Sequence, residues 1–132
     1  MNSSRKTMFE DVTDFQELVL LAQKPDVPRL LDREAMEHLV NCMLEEVNEL
    51  IEAYESHDLA GAVDALVDLI YFTLGGAYKM GAPFDEAWKI VHRANMTKKR
   101  GMTKRGKEDD ATKPDGWTDP KIQLKELLNG PA

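Results

Sequence analysis

This 132-residue chain is poor in thiols and imidazoles: it holds one cysteine, Cys42, and three histidines, His38, His57 and His92. One thiol closes no internal disulfide, and a place between Leu39 and Glu46 marks Cys42 as a packed side chain rather than a nucleophile. The histidines are too scattered for a catalytic triad, and there is neither a CxxC pair nor a Gly-rich phosphate loop. No repeat of solenoid period occurs. The N-terminal MNSSRKTMFEDV lacks the apolar segment of a signal peptide, and no apolar run is long enough to cross a membrane. The expectation is a cytoplasmic protein that meets no membrane.

A more local absence organises the chain. Between Glu34 and Tyr78 there are ten acidic side chains and no lysine or arginine. The net charge of −7 argues against non-specific binding of duplex nucleic acid, and no nucleic-acid partner is expected. With 42% hydrophobic and 31% charged residues, the composition is that of one globular domain with a real core, spanning residues 1–132.

Inside the acidic stretch, Met36, Val40, Met43, Val47, Leu50 and Tyr54 recur at alternating spacings of four and three, which predicts one helix from Asp32 to Ser56 with one buried stripe. Beside that stripe runs a second row, Leu39, Cys42, Glu46, Glu49 and Ala53, at the edge of the core. After Ser56-His57-Asp58, with Asp58 as N-cap, a second helix runs to about Lys79 and is apolar almost all round; its only charges before Lys79 are Asp64 and Asp68. So short a link makes the helices antiparallel neighbours. Counted outward from His57 at about 1.5 Å per residue, Glu49 lies level with Asp64, and Glu46 with Asp68. Acids this close in a half-buried groove either stay neutral, with raised pKa values, or share a cation. Hard oxygen donors with no His or Cys nearby favour Mg²⁺ or Mn²⁺ over zinc. The competing reading is a solvated helix face. Glu52, Glu55, Asn41 and Asn48 fit it; the aspartates, on a helix otherwise apolar, fit it poorly.

The flanks supply the rest. Residues 1–7 are expected to be disordered, followed by a helix from about Phe9 to Gln23 with a Thr7/Glu10 capping box and an inner face of Phe15, Leu18, Val19 and Ala22. Pro25 and Pro28 mark a linker. Gly75-Gly76, late in the second hairpin helix, signals close approach of another backbone or a ligand. Pro83 starts a helix reaching about Lys99, whose inward stripe ends on Asn95 and Lys98. From Lys79 to Lys107 there are nine basic residues against two acids, so an anion-binding half follows the metal-binding half, as a polyphosphate substrate requires. Arg93, Asn95, Lys98, Lys99 and Arg100 are the phosphate candidates. Residues 101–116 show no periodicity and are expected to form a mobile loop, and 117–132 a C-terminal tail with a short helix from about Pro120 to Leu128. Trp117 is either a packing anchor or a lid over a base or a neighbouring subunit.

In family order, Glu45-Glu46-Val47-Asn48-Glu49-Leu50, Asp64-Ala65-Leu66-Val67-Asp68-Leu69-Ile70-Tyr71, the run from Val91 to Lys98 and Lys113-Pro114-Asp115-Gly116-Trp117 resemble the MazG-like and phosphoribosyl-ATP pyrophosphohydrolase-like enzymes of the all-α nucleoside triphosphate pyrophosphohydrolase superfamily. One departure is present. The usual second motif, ExxD, would place an acid at position 65, where this chain has Ala65 and supplies Asp64 instead. The resemblance implies an all-α, antiparallel bundle of four to five helices, a homo-oligomer (dimer or tetramer), and metal-dependent cleavage of a nucleoside triphosphate between its α and β phosphates. It implies two or more Mg²⁺ or Mn²⁺ ions on Glu46, Glu49, Asp64 and Asp68, with Glu45 orienting water or holding a further ion. Lys98, with Asn95, Arg93 and Lys99, would meet the pyrophosphate. A dNTP is the expected substrate, dGTP first, because a phage branch that removes dGTP is similar in length and arrangement. The alternatives are phosphoribosyl-ATP as substrate, or a non-catalytic helical metal-binding or oligomerisation module.

Overall fold

The computed structural model of the protein describes residues 5–129; the expectations for residues 1–4 and 130–132 lie outside the described residues. The fold is all-α, with five α-helices and one two-stranded hairpin among the described residues. Packing divides the chain into two compact units, Met1–Phe84 and Asp85–Ala132.

In the first unit, α1 (Met8–Asp14) starts at the expected capping box: Glu10 N donates to Thr7 Oγ1 at 3.1 Å and Thr7 N to Glu10 Oε1 at 2.8 Å. It then widens into one π-helical turn, Phe15–Val19, and Leu21 closes it in the left-handed region at φ 56°. The wide turn rotates the later side chains away from the expected inner face. Val12 and Gln16 are buried, Phe15 and Ala22 half-buried, whereas Leu18 and Val19 are exposed, and the helix stops short of Gln23.

Helices α2 (Arg33–Glu55) and α3 (Leu59–Lys79) begin on aspartate caps, Ala35 N donating to Asp32 Oδ1 and Gly61 N to Asp58 Oδ1. Their turn is a Schellman motif: Asp58 N donates to Ala53 O, His57 N to Tyr54 O, and His57 takes the left-handed position at φ 58°. The hairpin is antiparallel. Near the turn Ala53 meets Gly61, where a Cβ would stand 3.3 Å from Ala53 Cβ; at the far end a Cβ on Gly76 would stand 2.5 Å from Leu39 Cδ2.

These contacts correct the expected burial of α2. The row through Leu39, Cys42, Glu46 and Ala53 lines the groove with α3, and Ala53 is buried, while Val40, Val47 and Tyr54 of the expected stripe are exposed. The glycines and small side chains of α3 draw the helices together along that second row, because backbones approach most closely where no Cβ intervenes. Gly75-Gly76 does admit a close approach, though of side chains: Gln16 at Gly75 and Leu39 at Gly76.

Tyr78, almost fully buried, ties the N-terminal segment to α3, its hydroxyl 2.9 Å from Glu17 Oε2 and 3.2 Å from Ala22 O. Burial, then the Glu17 carboxylate, holds its phenol above the usual value. The linker is pinned at the end of α3, where Arg29 N donates to Met80 O and Gly81, at φ 69°, leaves room for Pro25. Contrary to the sequence expectation, α3 is long and apolar enough to cross a membrane by length and composition, with mean hydropathy 1.4; only 22% of that window is buried.

In the second unit, α4 (Phe84–Asn95) ends well before Lys99. Thr97 Oγ1 donates to Ala94 O and Lys98 N to Asn95 O, so the chain turns out of the helix before Lys98. Strands β1 (Lys99–Gly101) and β2 (Asp110–Thr112) then pair antiparallel, Arg100 opposite Ala111. The segment 101–116 therefore contains half a hairpin, although strands of three residues are too short to show in periodicity. Asp110 organises it by accepting from Arg105 Nε and Nη2, each at 2.7 Å, from Thr103 Oγ1 and from Ala111 N. The Arg105 guanidinium, then Thr103 and the Ala111 amide, hold the Asp110 carboxyl well below the usual range. Helix α5 (Lys121–Asn129) lies where the sequence predicts it.

Candidate metal centre

Glu46 is the pivot of the first unit's acids. It sits half-buried on α2 and borders two cavities. The larger, about 560 Å³, has Asp68 of α3 on its wall; the smaller, about 260 Å³, is bordered by Glu49 and Asp64 together with Ala53, Gly61 and Ala65. The levels counted from the sequence recur here, Glu46 sharing one cavity with Asp68 and Glu49 sharing the other with Asp64.

The electrostatics follow from that grouping. Burial, then the hydrogen bond with Glu49, then the charges of Glu49, Asp68 and Asp64 all raise the Glu46 carboxyl above its ordinary value. The Glu46 carboxyl thus moves in the direction expected of grouped acids in a half-buried groove. The donors are hard oxygens, suited to Mg²⁺ or Mn²⁺. Among the described residues, however, no three His, Cys, Asp or Glu side chains are arranged to hold a metal ion.

Position 65, where ExxD would have an acid, is a buried alanine on the wall of the smaller cavity, and Asp64 borders that cavity from the next position. Glu45 is exposed on α2 and lines neither cavity.

The cationic candidates lie in the second unit. Arg93 borders a cavity of about 450 Å³ with Ile90, Ala94, Thr97, Pro114 and Trp117. Trp117 Nε1 donates to Ala94 O at 3.0 Å, fixing the closing segment to the end of α4 as an anchor would. The ammonium groups of Lys98 and Lys113 stand 5.2 and 5.1 Å from its ring centre, within cation–π range. Asn95 is exposed, against the expected inward stripe, and Lys99 is an exposed strand residue. Because α4 ends at Asn95, helical spacing does not place Lys98.

Sequence reasoning passed over Gln16, Tyr71 and His38, all on the wall of the larger cavity; His38 Nε2 lies 3.5 Å from Cys42 Sγ. The signal for Gln16 was its spacing of four from Val12, masked by the neighbouring Leu18-Val19-Leu20-Leu21.

A family model described as phosphoribosyl-ATP pyrophosphohydrolase matches residues 12–95, well over half of the chain. The match takes in all four carboxylates and ends with α4, short of Lys98 and Trp117. No curated protein matches the chain.

Proposed function

The chain belongs to the phosphoribosyl-ATP pyrophosphohydrolase family and is a nucleotide pyrophosphohydrolase; from that premise we propose that it hydrolyses a nucleoside triphosphate, a dNTP with dGTP first, between the α and β phosphates. The observation that supports this is Glu46: a half-buried carboxylate bordering both cavities, one with Asp68 and the other with Glu49 and Asp64. Four acids so grouped repel one another, and a polyphosphate only adds to the repulsion unless cations intervene.

Glu46, Glu49, Asp64 and Asp68 would hold two or more Mg²⁺ or Mn²⁺ ions. Such ions supply neutralising charge to the phosphates and acidity to water. Glu45, exposed beside Glu46, orients the attacking water in this reading or holds a further ion. Arg93, Asn95, Lys98 and Lys99 are assigned to phosphate contact on their charge and hydrogen-bonding chemistry, and Trp117 to positioning Lys98.

The protein acts as a homo-oligomer in this proposal, a dimer or tetramer. Val40, Leu44, Val47 and Ile51 on α2, and Val63, Leu66, Val67 and Ile70 on α3, are exposed. A monomer rarely leaves so much contiguous apolar surface in water. Asp64 and Asp68 on α3 make lipid a costly cover, which favours another subunit.

The family's own description favours one second reading, phosphoribosyl-ATP as the substrate. One experiment separates the two: incubate the protein with each common NTP and dNTP and with phosphoribosyl-ATP, in Mg²⁺ and then Mn²⁺, and identify the products. Monophosphate and pyrophosphate from a dNTP, abolished in Glu49→Gln and Asp68→Asn while both variants stay folded, supports the proposal. Cleavage of phosphoribosyl-ATP alone moves the chain to the second reading, and substantial metal-dependent activity in both variants removes those residues from the ligand set. Lys98→Ala is expected to lower kcat more than metal affinity; a loss of metal affinity alone contradicts its assignment.

A further inference from the structure

The geometry points to a second cation site on α2, of different chemistry: His38 and Cys42 together take a borderline-soft divalent ion, Zn²⁺, and the bound ion obstructs the larger cavity. The site does not depend on which triphosphate is cleaved; the obstruction rests on the hydrolytic reading above.

His38 and Cys42 are four residues apart, so they share one face of α2. The imidazole Nε2 and the thiol Sγ stand 3.5 Å from each other. With Zn–S at about 2.3 Å and Zn–N at about 2.0–2.1 Å, two tetrahedral ligands of one ion stand about 3.5–3.6 Å apart. The pair already has the edge length of such a shell. The hydrogen held between them is what the ion replaces: the thiol proton leaves to solvent, sulfur and imidazole nitrogen each give a lone pair to the cation, and no oxidant or reductant is needed.

Access and charge favour the ion. Cys42 is half-buried and His38 exposed, and both line the larger cavity. The other charged groups on that wall are Glu46, Asp68 and Lys79, two carboxylates against one ammonium, so the local field draws a cation in. Contrary to the expectation of no His or Cys near the acids, the fold places both on the cavity that Glu46 and Asp68 border.

The two sets of side chains select different ions. Carboxylate oxygens suit Mg²⁺ or Mn²⁺, whereas thiolate with imidazole suits Zn²⁺, which also stands above Mn²⁺ in the general order of affinities. Among the described residues no third His, Cys, Asp or Glu joins the pair. Water fills the remaining positions, so the ion exchanges where a four-ligand structural zinc would stay. It takes up part of a cavity of about 560 Å³ and sets a double positive charge beside Glu46 and Asp68, opposing the Mg²⁺ assigned to them. Zinc therefore acts as a reversible inhibitor.

The test uses Co²⁺ as a coloured stand-in for Zn²⁺, titrated into the metal-free full chain. Cys42 is the one cysteine, so a thiolate-to-cobalt absorption band reports this site alone. The wild type is expected to develop the band and to lose it when Zn²⁺ is added, and Cys42→Ser should show none. His38→Gln changes an exposed side chain and should fold as the wild type does. It should weaken Co²⁺ and Zn²⁺ binding by at least about tenfold, since even the outer-shell partners of a ligand are worth about tenfold to a hundredfold. In turnover with excess Mg²⁺, His38→Gln should keep wild-type activity and need at least about ten times more Zn²⁺ for half-inhibition. A wild type without the band overturns the inference, as does a His38→Gln protein of unchanged affinity, which leaves only a bare thiol. Equal inhibition by Zn²⁺ in the two proteins puts the ion on the acids and overturns it as well. The band without hydrolysis of any triphosphate keeps the site and loses the hydrolytic reading; hydrolysis without the band does the reverse.

Discussion

Gly76→Ala tests the close crossing on which the hairpin, and with it the spacing of the acids, depends. The new Cβ would lie 2.5 Å from Leu39 Cδ2 and 3.3 Å from Cδ1. Carbon atoms pack at about 3.5–4.0 Å, so the leucine tip must retreat by about 1 Å or more, or the helices must part. Overpacking of this kind costs about 1–3 kcal/mol. Alanine recovers about 0.5–1 kcal/mol over glycine within a helix. The expected net loss is about 1 kcal/mol, or a fall in Tm of about 4–8 °C for a unit of this size. Denaturant melts of the wild type, Gly76→Ala, Leu39→Val and the double variant are the assay. Leu39→Val shortens the side chain that blocks the methyl, so the double variant should be more stable than the sum of the singles by about 1 kcal/mol. A Gly76→Ala protein more stable than wild type, with no coupling to Leu39, would show that propensity alone governs position 76 and refute the close crossing.

Three further outcomes are expected. His57→Gly should stabilise the protein by about 0.5–1 kcal/mol, because His57 occupies the left-handed C′ position of the Schellman turn with a side chain that position disfavours; unchanged or lower stability in denaturant titration would show that the imidazole contributes there. Tyr78→Phe should cost about 1–2 kcal/mol and speed amide exchange around Phe15–Ala22, since it removes the hydroxyl that meets Glu17 and Ala22; unchanged exchange would detach that segment's order from Tyr78. Because the Glu46 carboxyl is raised in the folded state, its contribution to the metal-free protein is fully present below about pH 4.5 and is lost as pH rises through the folded value. Glu46→Gln should therefore flatten the decline in Tm above that pH in EDTA and weaken the stabilisation by Mg²⁺ or Mn²⁺; a variant whose pH profile matches the wild type would place the titration elsewhere.

What could be read from the sequence divides by the range of the interactions involved. The Thr7 and Asp58 caps, the bounds of α2 and α3, and α5 were all legible, because an N-cap oxygen, a helical period and a three-residue link act within a few residues of themselves. The level pairing of Glu46 with Asp68 and of Glu49 with Asp64 was legible too, since a constant rise per residue from a short turn fixes it. Tertiary packing decided what spacing could not. The face of α2 that meets α3 is the row through Leu39 and Ala53, because Gly76 and Gly61 let the backbones close there, and Val40, Val47 and Tyr54 of the longer apolar stripe are left exposed. The π turn at Phe15–Val19 turned Leu18 and Val19 out to solvent, one added residue in a turn rotating every later side chain, while Gln16 keeps the buried face of Val12. Asp110 gathered Arg105 and Thr103 into a hairpin too short for any period to announce. The sequence by itself determined which acids lie level along the hairpin, because that needs only helical rise and a short turn. Tertiary structure alone decided that a buried glutamine shares a cavity with Glu46 and Asp68, because that depends on which surfaces close most tightly in three dimensions.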